Sequence, residues 1–223
     1  MPLPSYHPYK KFPPVVDYEE VLWKPVEVSP LLWMDDSGED GTDFNGATLH
    51  TTSNIVVPEF CGIMIAFDTS SVASTQIVVE HSANFNNNTG SFLLSVGEIN
   101  GKIAFGFKAS NGYYTNSYPV SAGHITLGLM HNAARNISVY NSGSLVAGSA
   151  VDVTGTSFPS TTANLPLYIR ARAGGLFPLA GTVREIIITP TVPSLYIRQK
   201  IEGYLAHKWD RILGVTTRVT TIS

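Results

Sequence analysis

From Leu31 to about Thr189 the chain is written as short runs of β-branched and aromatic residues, broken at intervals by Gly, Asn, Ser and Pro. Runs of this length and spacing are too short for helices and are characteristic of an antiparallel sandwich or barrel. The expected strands are Leu31–Met34, Ala47–Thr51, Gly62–Asp68, Gln76–His81, Ser91–Val96, Lys102–Lys108, His124–His131, Asn136–Asn141, Ser144–Ala147, Pro166–Ala171 and Thr182–Thr189. Several alternate cleanly: Ile103, Phe105 and Phe107 fall on one face, as do Ile125, Leu127 and Leu129. Glu98-Ile-Asn-Gly101 and Asn141-Ser-Gly143 read as tight turns, because Asn and Gly accept the positive φ that hairpins require. Eleven strands fit a two-sheet antiparallel jelly-roll sandwich better than a small barrel.

Two segments break this texture. The first thirty residues carry prolines at 2, 4, 8, 13, 14, 25 and 30, which bias the backbone toward extended or polyproline conformation. Residues 1–22 are therefore expected to form an extended arm. Near the other end, Ile197, Ile201, Tyr204, Leu205 and Trp209 recur at helical spacing and predict one amphipathic α-helix over 194–209, with Ser194 as its N-cap. That helix is expected to lie on an end or edge of the sandwich. Gly203 inside it predicts a close approach to the sheet, since an interior Gly otherwise costs up to about 1 kcal/mol. The sandwich then spans 23–209, and 210–223 form a Thr-rich tail.

Composition removes several function classes. The 14 Lys and Arg against 17 Asp and Glu give a net charge of −3, with 14% charged residues overall. Such a chain has no electropositive field to collect phosphates, so nucleic acid is not an expected partner. Its apolar runs fall short of the roughly 20 residues that span a bilayer, so no membrane partner is expected either. A single Cys61 allows no internal disulfide, and the opening residues lack a signal-like apolar segment, so export is not expected.

Arg184-Glu-Ile-Ile-Ile188, followed by Arg198-Gln-Lys-Ile-Glu202-Gly203-Tyr204-Leu-Ala-His-Lys-Trp209, resembles the terminal strand and helix of concanavalin A-like, laminin-G-like jelly-roll domains. Those domains are widespread in bacteriophage virion proteins and large bacterial surface proteins. Trp23 to Asp35 resembles the family's opening strand, and Ile137 to Ala147 its central hairpin. Within the helix, Glu202, Gly203, Tyr204 and Trp209 carry the motif. The family's tail, resembling Leu-Pro-x-x-His-Pro-Tyr-Lys, is replaced after Trp209 by other residues. It is found instead at the amino end, with Leu3, Pro4, His7, Pro8, Tyr9 and Lys10 in the matching places. Three explanations stay open: a relic of a preceding tandem domain, a segment filling the tail position from the other end, or an arm docking on a neighbouring subunit.

The remaining constellations give little support to an enzyme. Jelly-roll glucanases place paired carboxylates on one strand, whereas Glu80, Glu98 and Glu185 each stand alone. No Gly-x-Ser-x-Gly elbow is present. The six His show no i, i+4 pair, and His124 and His131 bracket one strand more than 20 Å long. The acidic stretch Asp35 to Asp43 fails the EF-hand pattern and reads as a solvated turn. Cys61 reads as a buried inert thiol. No catalytic residue, metal or cofactor is therefore expected. The segment from Asn111 to Tyr118 reads as a loop, and its Tyr113, Tyr114 and Tyr118 are candidate glycan or protein contacts.

The resemblance implies a non-enzymatic structural protein of a virion, made in a host cytoplasm, such as a head decoration, collar or tail-fibre appendage. Its partners would be other virion proteins, in repeated copies or a homo-oligomer. The alternative is a carbohydrate-binding module that adheres to host-surface glycans.

Overall fold

The structure is a computed structural model that describes residues 23–39, 41–58, 61–97, 101–108, 113–131, 137–145, 152–153 and 163–209. The expected arm at 1–22 and the tail at 210–223 lie outside the described residues, as does Glu98. Fourteen strands are found among the described residues: β1 (Leu32–Asp35), β2 (Thr42–Asp43), β3 (His50–Val56), β4 (Gly62–Thr69), β5 (Gln76–His81), β6 (Phe92–Val96), β7 (Lys102–Lys108), β8 (Tyr113–Pro119), β9 (Gly123–His131), β10 (Ile137–Asn141), β11 (Ser144–Leu145), β12 (Asp152–Val153), β13 (Asn164–Ile169) and β14 (Gly181–Thr189). They form two seven-stranded sheets, ordered β11-β10-β9-β4-β14-β1-β2 and β12-β8-β7-β6-β5-β13-β3. Every pairing is antiparallel except the two-residue contact of β1 with β2. This is the two-sheet jelly-roll sandwich expected from the strand texture.

The main core lies between the sheets. Ile63, Ile65 and Phe67 of β4 meet Phe92 and Leu94 of β6 and Phe105 and Phe107 of β7, all at most 1% exposed. The alternation noted in β7 explains this, because a period of two sends Ile103, Phe105 and Phe107 inward together. Ala104 and Gly106 are left on the outer face.

One helix, α1 (Leu195–Lys208), follows β14. The Ser194 side chain caps it, accepting a hydrogen bond from the Ile197 amide at 3.3 Å. The helix covers the outer face of the β4/β14 sheet, where Ile201, Tyr204 and Leu205 pack on Met64, Ala66 and Ile187. It was expected at an end or edge. The broad face wins because β4 and β14 are apolar on both sides, and their outer residues also need burial. Gly203 does not mark a close approach, since a Cβ built there meets nothing within 4 Å. No described helix is long and apolar enough to cross a membrane.

The segment read as a loop around Tyr113 is instead β8, paired with β7 from Lys102↔Pro119 to Lys108↔Tyr113. Its Tyr-Tyr-Thr-Asn-Ser-Tyr composition hides a strand because Asn and Ser weaken the signal, while cross-strand pairing to the apolar β7 supplies the stabilisation.

Candidate functional site

The outer face of the second sheet carries a groove of about 490 Å³. Its floor is made by the small residues Ala104 and Gly106 of β7 beside Leu93 of β6. One wall is a 3-10 turn at Phe85–Asn87, capped by the Asn84 side chain. There Phe85 packs on Ile77 and Leu93 in a small apolar cluster separate from the main core. The other wall is the β13–β14 loop, which presents Arg172 and Phe177.

That loop is held in an unusual backbone form. Phe177 has φ of 53° and Arg170 has φ of 72°, left-handed values disfavoured for side chains with a Cβ. Conformations of this kind cost about 1–3 kcal/mol each and persist only where surrounding bonds fix them. Here the Phe177 carbonyl accepts from the Ile77 amide at 2.8 Å, the Arg170 amide donates to the Val78 carbonyl at 2.8 Å, and the Leu179 amide donates to the Arg170 carbonyl at 2.7 Å. Gly174 and Gly175, at φ of 74° and 76°, supply the remaining left-handed positions at little cost. The result leaves the Phe177 ring 45% exposed at the groove, with the Arg172 guanidinium carbon 5.4 Å from its centroid.

Both walls are tied to one buried carboxylate. Glu80 of β5 is fully buried, accepting from the Phe85 amide on Oε1 at 2.5 Å and from Arg172 Nε on Oε2 at 2.8 Å. The guanidinium is thereby anchored through Nε, with the Phe177 ring beside it.

A second, shallower depression of about 400 Å³ involves Tyr118, Pro119 and Asn141. There the Tyr118 hydroxyl accepts from Asn141 Nδ2 at 3.3 Å. Of the three candidate tyrosines, Tyr118 belongs to this depression, while Tyr113 and Tyr114 hold backbone positions in β8 opposite Lys108 and Phe107. Tyr118 is not among the described residues that line the groove. The arm residues Leu3, Pro4, His7, Pro8, Tyr9 and Lys10 lie outside the described residues.

The helix motif forms a buried polar latch on the opposite face. Glu185 of β14 accepts from the indole nitrogens of Trp33 at 2.6 Å and Trp209 at 2.7 Å, and Lys208 Nζ lies 3.8 Å away. Lys208 also bonds Asp35 at 2.6 Å and the Tyr204 hydroxyl at 3.0 Å. Glu185 thus does not stand alone: Asp35 is its cross-strand partner in register. Both carboxylates are 0% exposed beneath α1, which closes them to any substrate. Burial raises the Glu185 carboxyl above its usual range, while the two indole donors and Lys208 pull it back. Glu202, beside Gly203, pairs with Arg198 at 2.7 Å, and Arg198 stacks 3.6 Å from the Tyr140 ring centroid.

The acidic stretch is also partly internal. Asp35 serves Lys208, and Asp36 accepts from Arg184 at 3.1 Å and the Gly46 amide at 2.7 Å. No group of three His, Cys, Asp or Glu able to hold a metal occurs among the described residues. Cys61 is buried as expected, and burial pushes its thiol up to about 12.

No protein-family model and no curated protein matches this sequence. Similarity is found among solved structures. The botulinum neurotoxin type G receptor-binding domain aligns with a TM-score of 0.55 at 10% identity, over 80% of this chain and 51% of its own length. The CBM40 domain of the Ruminococcus gnavus IT-sialidase gives 0.48 at 14% identity, covering 66% of this chain and 95% of that domain. The NanB sialidase from Streptococcus pneumoniae gives 0.49 at 15% identity, over 66% of this chain and 24% of that enzyme. The neurotoxin likeness agrees with the sandwich architecture described above.

The groove escaped the sequence reading because its parts come from β5, β6, β7, a 3-10 turn and a loop. Two signals were present. The outward positions between the large residues of β7 are both small, and Arg172-Ala-Gly-Gly-Leu-Phe-Pro178 sets exposed apolar residues in a glycine-rich loop.

Proposed function

We propose that the chain is a carbohydrate-binding module whose ligand seats in the groove between Phe85 and Phe177. The observation that carries this reading is the Phe177 ring, held exposed in a costly backbone conformation beside a fixed guanidinium and above a floor of small residues. A sugar ring has an apolar C–H face that stacks on an aromatic and hydroxyls that accept from an arginine edge. The Ala104 and Gly106 floor lets it approach the sheet backbone. The groove's volume falls within the usual range for small-ligand sites, about 300–1,000 Å³.

Binding rather than catalysis is favoured because, among the described residues, no Asp, Glu, His or Cys lines the groove. Glu80 behind it is fully buried with both oxygens engaged. The virion attachment role expected from the sequence resemblance depends on the arm. The groove instead supports the glycan-binding alternative, and the neighbours named above are toxin and sialidase proteins.

A glycan array probed with the full chain tests the proposal. Binding to a defined glycan set, lost in Phe177→Ala at an unchanged melting temperature, is the expected result. No binding on a broad array, or binding untouched by that substitution, would overturn it.

A further inference from the structure

Glu80 sits where the groove's two walls meet the sheet. Its Oε1 accepts from the Phe85 amide and its Oε2 from Arg172 Nε. These two bonds fix the 3-10 turn and the guanidinium relative to each other. Among the described residues, Arg172's side chain makes no hydrogen bond beyond the one from Nε. The Arg172 side chain lines the groove and is 16% exposed there. A guanidinium held by Nε and flanked by an aromatic ring offers its remaining edge as a planar pair of donors. Such an edge suits two neighbouring acceptor oxygens, either adjacent hydroxyls or a carboxylate.

Resting on the carbohydrate reading, we infer that Glu80 is the positioning residue of the groove, and that the ligand presents a pair of adjacent oxygens to the terminal nitrogens of Arg172. Glu80 touches no ligand. It acts by removing the rotational freedom of Arg172 before binding, so that little ordering entropy is lost on contact. A buried carboxylate serving two walls also explains why neither wall can shift alone: losing either bond leaves half of a desolvated charge unpaired.

The test uses the full chain with Glu80→Gln and Arg172→Lys. The probes are free glucose, galactose, N-acetylglucosamine and glucuronic acid, followed by saturation-transfer NMR and titration. The Arg172 Nε–H resonance is followed in parallel. In the wild-type protein that resonance should be protected from solvent exchange, and at least one sugar should bind. The glucuronic acid arm separates a carboxylate from paired hydroxyls as the oxygen source. Glu80→Gln, with an amide that cannot accept at both positions, should lose the protection and weaken binding about tenfold or more, the scale of one charge-assisted hydrogen bond. Arg172→Lys should weaken binding similarly, and the double variant should be little worse than either single one. Unchanged affinity in a folded Glu80→Gln, or additive losses in the double variant, would overturn the positioning role. If Glu80→Gln does not fold, retained affinity in Arg172→Lys would overturn the inference, and its loss would support it. A wild-type chain that binds none of these sugars and nothing on the array overturns the carbohydrate reading itself and the positioning role with it, whatever the Arg172 resonance shows.

Discussion

Trp209→Phe isolates one bond in the latch that holds α1 to the sheet. Glu185 is 0% exposed and receives two indole donors, from Trp33 at 2.6 Å and Trp209 at 2.7 Å. Phenylalanine keeps most of the ring that stacks near Arg184, whose guanidinium carbon lies 5.7 Å from the indole centroid. It removes only the N–H. Oε2 would then face Lys208 Nζ at 3.8 Å, too far for a direct hydrogen bond. A hydrogen bond to a charged group contributes about 1.5–3 kcal/mol, so that is the expected destabilisation. At about 2–4 °C per kcal/mol for a domain of this size, the melting temperature should fall by about 3–12 °C. Trp209→Ala should cost more, but less than truncating a fully buried Trp, because the ring is only half-buried. The deficit should also depend on pH. Burial already raises the Glu185 carboxyl, and losing a donor raises it further in the variant. The cost is therefore fully present where Glu185 is ionised in both proteins, and shrinks as pH falls through its folded-state pKa. Urea melts of both proteins across the acid-to-neutral range measure this. A loss under about 0.5 kcal/mol at neutral pH, within ordinary surface-substitution scatter, would refute the reasoning.

Gly203→Ala should stabilise the fold by up to about 1 kcal/mol, because the new methyl meets nothing within 4 Å and the helix gains propensity; an unchanged or lower urea midpoint would contradict this. Burial raises the Glu202 carboxyl, with Arg198 opposing, so its stabilising protonation is complete below the ordinary carboxyl pKa and is lost as pH rises through the folded value. Glu202→Gln should therefore flatten the stability profile over that window while lowering stability overall through the orphaned Arg198, and denaturant melts at several pH values check the slope. Cys61, buried with its thiol pushed up to about 12, should resist thiol reagents at pH 8 in the native state and react on unfolding; rapid native labelling would show that the β3–β4 region opens.

Inward-facing residues made much of the fold legible in the sequence. β5 and β7 have the bounds read from short runs of β-branched and aromatic residues, and the helix differs by one residue at each end. These elements bury regular apolar patterns, and a pattern of period two or 3.6 is a local property of the chain. β8 was hidden because its stabilisation comes from pairing with β7 rather than from its own Tyr, Thr and Asn residues. The outer-face position of α1 follows from the two-sided hydrophobicity of β4 and β14, whose outer residues need a cover. Gly203 was misread because an interior glycine has no sequence mark separating close packing from open space. The groove was least legible. Glu80 stands 92 positions before Arg172, and only the fold brings them together. Phe177 owes its exposure to a backbone conformation that no periodicity encodes.

Sugar binding at the Phe85–Phe177 groove has a residue-by-residue readout. A backbone ¹H–¹⁵N NMR titration of the full chain with the glycan most strongly retained on the array tests it most directly. Binding there predicts shifts concentrated at Thr75, Asn86, Gly106, Arg172 and Phe177, the groove residues. Shifts that gather instead at Tyr118 and Asn141, or in residues 1–22, with the groove amides unmoved, would contradict it.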